Sequence, residues 1–204
     1  TRQFRGLFRM NIDKIEPYII YWDYFTNYPK NCDNIAMRGA TYALVFNKTK
    51  PDKFKLPCEY EQCVYIGKSA GYYYDKQNGY KGKVRSHVHK RMTNHHKPLI
   101  TGEGGDSSHK AIIEEYGYGE AAINGIVTGL PLWLCLLIPR PDVPDETISR
   151  WTLTQEQIQL YQYEINFGHC TLGNMDTKEN KDPESYSSYR MSDLKETNLE
   201  VLFG

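Results

Sequence analysis

Positive charge is concentrated in one part of the chain, from Lys68 to Lys97, where eight Lys and Arg residues accompany a single acid, Asp75. The chain as a whole has no net charge, with 25 basic and 25 acidic residues. This balance argues against a protein that coats nucleic acid non-specifically, but a local basic surface suits phosphate groups. The charge pattern therefore allows a local basic groove. Its candidate phosphate-contacting residues are Lys76, Lys81, Lys83, Lys90 and Arg91.

A short strand and a helix must position these charges. Residues 63–66, CVYI, are β-branched and aromatic, which favours a half-buried strand, and Gly67 ends it. An apolar stripe with helical spacing predicts a helix over about 83–92. Arg85 and His89 are four residues apart on that helix, so we expect their side chains to share one face.

The remaining periodic segments predict an α+β fold. Strands are expected at about 41–47, 62–67 and 131–138, and helices at about 83–92, 107–116 and 153–165. The result is a small three-stranded antiparallel or mixed sheet flanked by helices. Residues 154–157, TQEQ, have the form of a capping box, which would place Glu156 in the first turn of the last helix. Residues 139–151 are rich in proline and predict a loop.

The length of the chain suits one domain with elaborations. We expect residues 1–38 to form an N-terminal arm with one short helix and residues 39–176 to form the domain itself. Two segments within the domain, 48–61 and 70–82, are expected to be loop insertions. Residues 177–204 are polar and aperiodic, which predicts a flexible tail, and its closing LEVLF resembles a protease-site linker.

Cysteine and histidine usage indicates no metal cluster. The five cysteines are scattered without zinc-ligand spacing, so we expect a reducing, cytoplasmic environment. No apolar run is long enough to span a bilayer, and we expect no membrane partner. Four histidines fall within ten residues, but no Cys or acid stands at ligand spacing, so solvent or DNA is their expected environment. These histidines are His87, His89, His95 and His96.

Two tyrosine motifs resemble the paired motif of GIY-YIG nucleases. Tyr65-Ile66-Gly67 is the intact second half, and Ala40-Thr41-Tyr42 is a degenerate first half. Arg85-x-x-x-His89 fits the family's Arg-x-x-x-His on its first helix. The resemblance spans roughly residues 39–176 and implies a GIY-YIG-like domain that cuts phosphodiester bonds in DNA.

The resemblance also implies roles for the basic and phenolic groups. Tyr42 is our first candidate for the general base and Tyr65 for a positioning role, and the reverse assignment stays open. Lys68 follows the YIG glycine and would favour a phenolate, since cations lower the pKa of nearby acids. Arg85 would hold the scissile phosphate, and His89 would bind a tyrosine or the phosphate.

An acid that opens a late helix holds the metal in this family, and Glu156 is the candidate here. A site with one carboxylate suits a single Mg²⁺ that keeps most of its waters, with Mn²⁺ as a substitute. The family places an Asn after this helix, and Asn174 is the candidate. Glu164 and Asn166 are rivals, because the interval from Glu156 to Asn174 is longer than usual.

The insertions bear on the biological class. Recognition residues grafted onto the nuclease itself are typical of the family's type II restriction endonucleases, so we expect a site-specific enzyme for double-stranded DNA. Cutting both strands favours a homodimer on DNA. The alternatives are a structure-specific repair, homing or phage nuclease of this family, and a catalytically inactive DNA-binding protein with its fold.

Overall fold

The architecture was obtained as a computed structural model, which describes residues 19–27, 39–69, 71–75, 79–86, 88–140 and 145–174. The strands are β1 (Ile19–Tyr24), β2 (Ala40–Phe46), β3 (Cys63–Ser69), β4 (Gly71–Asp75), β5 (Gly79–Ser86) and β6 (Leu132–Ile138). The helices are α1 (Val88–Thr101), α2 (Ser107–Tyr116), α3 (Glu120–Ile123) and α4 (Asp145–Phe167). The expected α+β class is therefore confirmed.

The main sheet has the strand order β1-β6-β2-β3, and each neighbouring pair is antiparallel. In the described part of the chain it has four strands, because β1 adds an edge strand to the three that we expected. The prediction of a helical arm was wrong for Ile19–Tyr24, a run of β-branched and aromatic residues that suits a strand. The rest of the expected arm and the tail 177–204 lie outside the described residues.

Alternation along the strands gives the sheet two differently covered faces. On one face, residues such as Tyr42 and Leu44 form the main core with apolar side chains of α1, α2 and α3. On the other face, the Thr41 hydroxyl donates to the Thr152 carbonyl of α4 over 2.9 Å. Each fully buried Leu or Ile of this core contributes roughly 1.5–3 kcal/mol to folding. The central strands are thus fixed from both sides.

The insertion expected as a loop over 70–82 is largely a two-stranded antiparallel ribbon, in which Gly71 pairs with Ser86. The helix predicted over 83–92 therefore starts too early, since α1 begins at Val88. Glycines at 79 and 82 disfavour a helix, and the tyrosines around them favour strands. Apolar spacing across Val84 and Val88 suggested a continuous helix, but these residues lie in different elements.

Helix α4 begins at Asp145, eight residues before the predicted start. The expected loop over 139–151 was therefore wrong for its second half, and Glu156 lies in the helix interior. Asp145 and Glu146 come directly after Pro144, and acids in a first turn favour a helix start at that point. The 154–157 sequence has the pattern of a capping box without being a helix end.

The other expected insertion, 48–61, packs onto α4. The Cys58 N–H donates to Gln159 over 3.4 Å, and the Cys58 carbonyl accepts from the Asn166 amide over 3.0 Å. This segment is therefore attached to α4. Among the described helices, none combines the length and the apolar character that crossing a membrane requires.

Candidate active site

Tyr42 and Tyr65 lie on the neighbouring strands β2 and β3 and on the same face of the sheet. Leu44 pairs with Tyr65 and Tyr42 pairs with Gly67, so the two tyrosines are diagonal neighbours, two residues out of direct register. Their rings stack with centroids 6.0 Å apart and planes 19° apart. The strands expected at about 41–47 and 62–67 are therefore neighbours and carry the two tyrosines side by side.

The two phenols differ in exposure. Tyr42 is buried, with 1% of its surface exposed, whereas Tyr65 is partly exposed. Burial raises the pKa of Tyr42 well above its usual value, and the neighbouring Tyr65 adds to this effect. Burial also raises the pKa of Tyr65, followed by the charge of Glu156. The positive charge of Arg91 opposes both increases.

A series of close polar contacts leads from Tyr42 through His95 and His109 to Asp106. The Tyr42 hydroxyl lies 3.0 Å from Nε2 of His95. The other ring nitrogen of His95, Nδ1, lies 2.9 Å from Nε2 of His109, whose Nδ1 lies 2.8 Å from the Asp106 carboxylate. Burial lowers the pKa of His95 to about 3, and the charge of His109 acts in the same direction. His95 is therefore neutral near neutral pH.

Helix spacing explains why His95 is buried. Val88, Met92 and Leu99 are fully buried residues of α1, and His95 falls between them at the spacing of one helix face. Arg91 lies one residue before Met92 and is exposed, at the edge of this face. The Val88–Met92–His95–Leu99 spacing was visible in the sequence and could have identified His95.

Arg91 and His95 reproduce the Arg-x-x-x-His spacing that we first assigned to Arg85 and His89. Arg85 lies in strand β5 and His89 in helix α1, so they do not share a helix as expected. The side chains of Arg85 and His89 lie outside the described structure. Spacing alone fits either pair, and only the start of α1 distinguishes them.

Lys68 lies on β3 opposite Thr41, whose side chain contacts α4. Alternation along the strand therefore places Lys68 on the face opposite to Tyr65 and Tyr42. We had expected Lys68 to favour a phenolate, but the cation whose charge lowers the pKa of both tyrosines is Arg91.

Glu156 projects from the middle of α4 and is half-buried. Its negative charge raises the pKa of both Tyr42 and Tyr65. The rival Glu164 accepts a hydrogen bond from the Cys170 thiol over 2.6 Å, two helical turns further on. Of these two acids, Glu156 is the one whose charge acts on the tyrosine pair.

Asn174 is bound to the backbone of the YIG strand. Its Oδ1 accepts from the Ile66 N–H and its Nδ2 donates to the Ile66 carbonyl, each over 2.8 Å. The Thr171 hydroxyl donates to the same Oδ1. Asn174 therefore holds β3 in place next to Tyr65. The rival Asn166 instead binds the 48–61 segment through Cys58.

The expected DNA-contacting residues are only partly described. Lys90 and Arg91 are exposed on α1. Lys81 and Lys83 belong to strand β5, but their side chains lie outside the described structure, as does Lys76 entirely. In the described residues, no group of three or more His, Cys, Asp or Glu side chains is arranged to hold a metal ion.

We compared the chain with protein-family models, with curated proteins and with solved structures, and none of the three comparisons finds a match.

Proposed function

We propose that the protein is a metal-dependent endonuclease for double-stranded DNA, of GIY-YIG type. The observation that carries the proposal is the stacked pair Tyr42 and Tyr65 on one sheet face. The charge of Arg91 lowers the pKa of both phenols and the charge of Glu156 raises it. A module that only binds DNA gains nothing from a carboxylate near its phosphate-facing cations. Hydrolysis of a phosphodiester needs a base for the attacking water, a cation that offsets charge on the phosphate and help for the leaving oxygen, and phenolic, cationic and acidic groups together can supply these.

Exposure supports Tyr65 as the group that takes the proton from the attacking water, which reverses our first assignment. A general base must come within hydrogen-bond distance of the water, and Tyr65 is partly exposed whereas Tyr42 is buried behind it. Tyr42 then holds Tyr65 in place through the stacking of the two rings. The Arg91 guanidinium, exposed beside them, binds the scissile phosphate and offsets the charge of the transition state.

The residues present fit one divalent ion held by a single carboxylate. Glu156 is partly exposed and acts on both phenols, and Mg²⁺ commonly uses one or two carboxylates with water and phosphate oxygens. The ion, when bound, acts as a Lewis acid on the phosphate and stabilises the leaving oxygen. Glu156 would hold it, and Mn²⁺ would substitute for Mg²⁺.

The ribbon of β4 and β5 is the element that we propose for DNA recognition. A two-stranded antiparallel ribbon has the width to enter the major groove of DNA. Strand β5 carries Lys81, Lys83 and Arg85 and leads into α1, which brings Arg91 to the tyrosine pair. Recognition within the catalytic domain favours a type II restriction enzyme over a repair, homing or phage nuclease.

Incubation of plasmid DNA with the protein and Mg²⁺ tests the proposal. Discrete linear fragments are expected, and sequencing of their ends returns the recognition site and the stagger. A mobility shift without cleavage at any divalent ion would indicate a DNA-binding protein instead. Cleavage confined to branched or damaged DNA would replace the restriction enzyme with a repair nuclease.

We also propose a homodimer on DNA, because one set of Tyr65, Arg91 and Glu156 addresses one phosphate at a time. A two-fold dimer cuts both strands of a palindromic site. Light scattering of the protein bound to a cognate duplex is expected to give two chains per duplex. One chain per duplex, together with nicked plasmid, would contradict the dimer.

A further inference from the structure

The turn between β2 and β3 carries a second concentration of positive charge, which the proposed catalytic centre does not use. Residues 48–55, KTKPDKFK, are called the lysine turn below and contain four lysines and a single acid, Asp52. Three of the lysines are exposed, and Lys55 is half-buried. In the part of the chain that the structure describes, none of the four forms an ion pair. Their charge is therefore available to a partner.

Phe54 stands among these lysines with 82% of its surface exposed. Its backbone is held by Asp52, whose carboxylate accepts from the Phe54 N–H over 2.9 Å and whose carbonyl accepts from the Lys55 N–H over 3.1 Å. The Asp52 N–H in turn donates to the hydroxyl of the buried Tyr60 over 2.8 Å. The turn therefore has a defined conformation, and it holds in water a ring that contributes no apolar burial to folding.

One of the lysines already lies against the exposed ring. The Lys53 ammonium is 4.9 Å from the centre of the Phe54 ring, whereas the Lys55 ammonium is 4.3 Å from the centre of the Tyr60 ring. The turn thus presents an apolar ring with an ammonium group beside it. In duplex DNA an apolar base step lies beside phosphate groups, so the two surfaces are complementary in polarity and in charge.

The lysine turn and the tyrosine pair lie within reach of one duplex. The Asn47 N–H donates to the Pro131 carbonyl over 3.0 Å, which fixes the point where the turn leaves β2. Asn47 is three residues beyond Leu44, the partner of Tyr65, and this interval is about 10 Å at the rise of a strand. About three base pairs of B-DNA cover the same length. A duplex bound at Tyr65 is therefore long enough to contact the turn.

We infer that the lysine turn is a second contact with double-stranded DNA, in which its lysines bind phosphates and Phe54 enters the minor groove as a wedge between two base pairs. This inference rests on the proposed nuclease function. It adds to the ribbon of β4 and β5, which would enter the major groove. A wedge of this kind unstacks one base step and kinks the duplex, and phosphate contacts beside the step stabilise the bent form.

A surface of anionic lipid would attract the same lysines, but the turn has little apolar surface to bury in it. Within this turn, all of which the structure describes, Phe54 is the one exposed large hydrophobic side chain. Burial of one ring contributes less than burial of an acyl chain, and a single acyl chain binds a membrane only marginally. One ring is sufficient for a wedge in DNA. The turn therefore suits DNA better than a membrane.

Two variants test the two parts of the contact on the duplex that the protein cleaves, without divalent ions so that no DNA is cut. In Lys53→Ala one phosphate contact is lost, so the slope of log K against log salt concentration should become shallower by about 0.9. In Phe54→Ala we expect the affinity to fall about tenfold with the salt slope unchanged. Both side chains are exposed, so urea unfolding should match wild type.

The wedge has its own readout, because 2-aminopurine becomes brighter when its base step opens. With this base placed at successive positions of the duplex, wild type is expected to brighten one step. Phe54→Leu, which keeps an apolar wedge, should brighten the same step, and Phe54→Ala should brighten none. Unchanged brightening in Phe54→Ala would overturn the wedge.

Lys110→Ala is the matched control for Lys53→Ala, because Lys110 is an exposed lysine of α2 outside the turn. It is expected to keep the wild-type affinity and salt slope, and an equal change in both variants would overturn the inference. Wild-type affinity, slope and brightening in Lys53→Ala and Phe54→Ala would also overturn it and leave the nuclease function intact. Weaker binding to phosphatidylserine vesicles with unchanged DNA binding would assign the turn to a membrane instead. A wild-type protein that neither binds nor cuts DNA would refute the function on which the inference rests.

Discussion

The ring of Tyr42 lies across Gly67, so close that a methyl group on this glycine would stand 2.8 Å from the Tyr42 Cζ and hydroxyl oxygen. The same methyl group would stand 2.7 Å from Tyr65 Cε1. Gly67 does not have a positive φ, so the requirement is one of space and not of backbone conformation. The glycine of the YIG triplet therefore allows the two tyrosine rings to meet over the sheet.

Gly67→Ala is expected to push the two rings apart and to lose cleavage, with a stability cost of about 1–3 kcal/mol from overpacking. Urea unfolding and plasmid cleavage measure the two effects. In the Tyr42→Ala background one of the two obstructing rings is gone, so the stability cost of Gly67→Ala should shrink in a double-mutant cycle. Equal costs in both backgrounds would show that the Tyr42 ring is not the obstacle.

Asn174→Ala is expected to reduce the free energy of unfolding by about 1–3 kcal/mol, because it leaves the Ile66 N–H and carbonyl without their side-chain partner. Hydrogen exchange at the Ile66 amide should accelerate. Asn47→Ala is the control, since Asn47 makes an exposed contact with the Thr49 carbonyl. Unchanged stability together with lost cleavage would instead indicate the direct catalytic role that the family resemblance implied.

Much of the sheet was predictable because its strands are apolar throughout or alternate clearly. Strands β2, β3 and β6 were predicted within about two residues of their observed bounds, and their observed register brings the two tyrosines together. Helix α2 was found at its observed bounds, with Gly117 ending it. These elements carry local signals that tertiary contacts do not override.

The site was less predictable, because its helix begins after a ribbon that mimics helical spacing. Val84 and Val88 are four residues apart, yet a strand holds the first and a helix the second. Because of that error, we assigned the Arg-x-x-x-His motif to Arg85 and His89 instead of Arg91 and His95. The contact of His95 with His109 joins two helices, and no local pattern in the sequence encodes it.

Arg91→Ala is expected to lower the cleavage rate by about 10²–10³-fold, since it removes the cation that offsets charge at the phosphate. It should also shift tyrosine titration to higher pH, because Arg91 lowers the pKa of both phenols. Arg85→Ala is the comparison and should weaken DNA binding more than catalysis. Loss of catalysis in Arg85→Ala alone would restore our first assignment.

Acid should destabilise the fold through His95. The pKa of His95 is about 3 in the folded protein and 6.5 in the unfolded chain. Between these two pH values the unfolded chain therefore binds one more proton than the folded protein. Stability from this group is present above pH 6.5 and is lost as pH falls toward 3, by up to about 1.4 kcal/mol per pH unit. Urea unfolding of wild type and His95→Gln should therefore converge between pH 7 and pH 5. Parallel pH dependences would contradict the burial of a neutral His95.

The most direct test compares wild type with Glu156→Gln on plasmid DNA in Mg²⁺. We expect wild type to give discrete fragments, and Glu156→Gln to cut at least about 10²-fold more slowly while binding as tightly or more tightly, because a metal ligand and a negative charge near the phosphate are both removed. Glu164→Gln, which alters only the contact with Cys170, should cut normally. Normal cleavage by Glu156→Gln, or cleavage lost only in Glu164→Gln, would contradict the proposed catalytic centre.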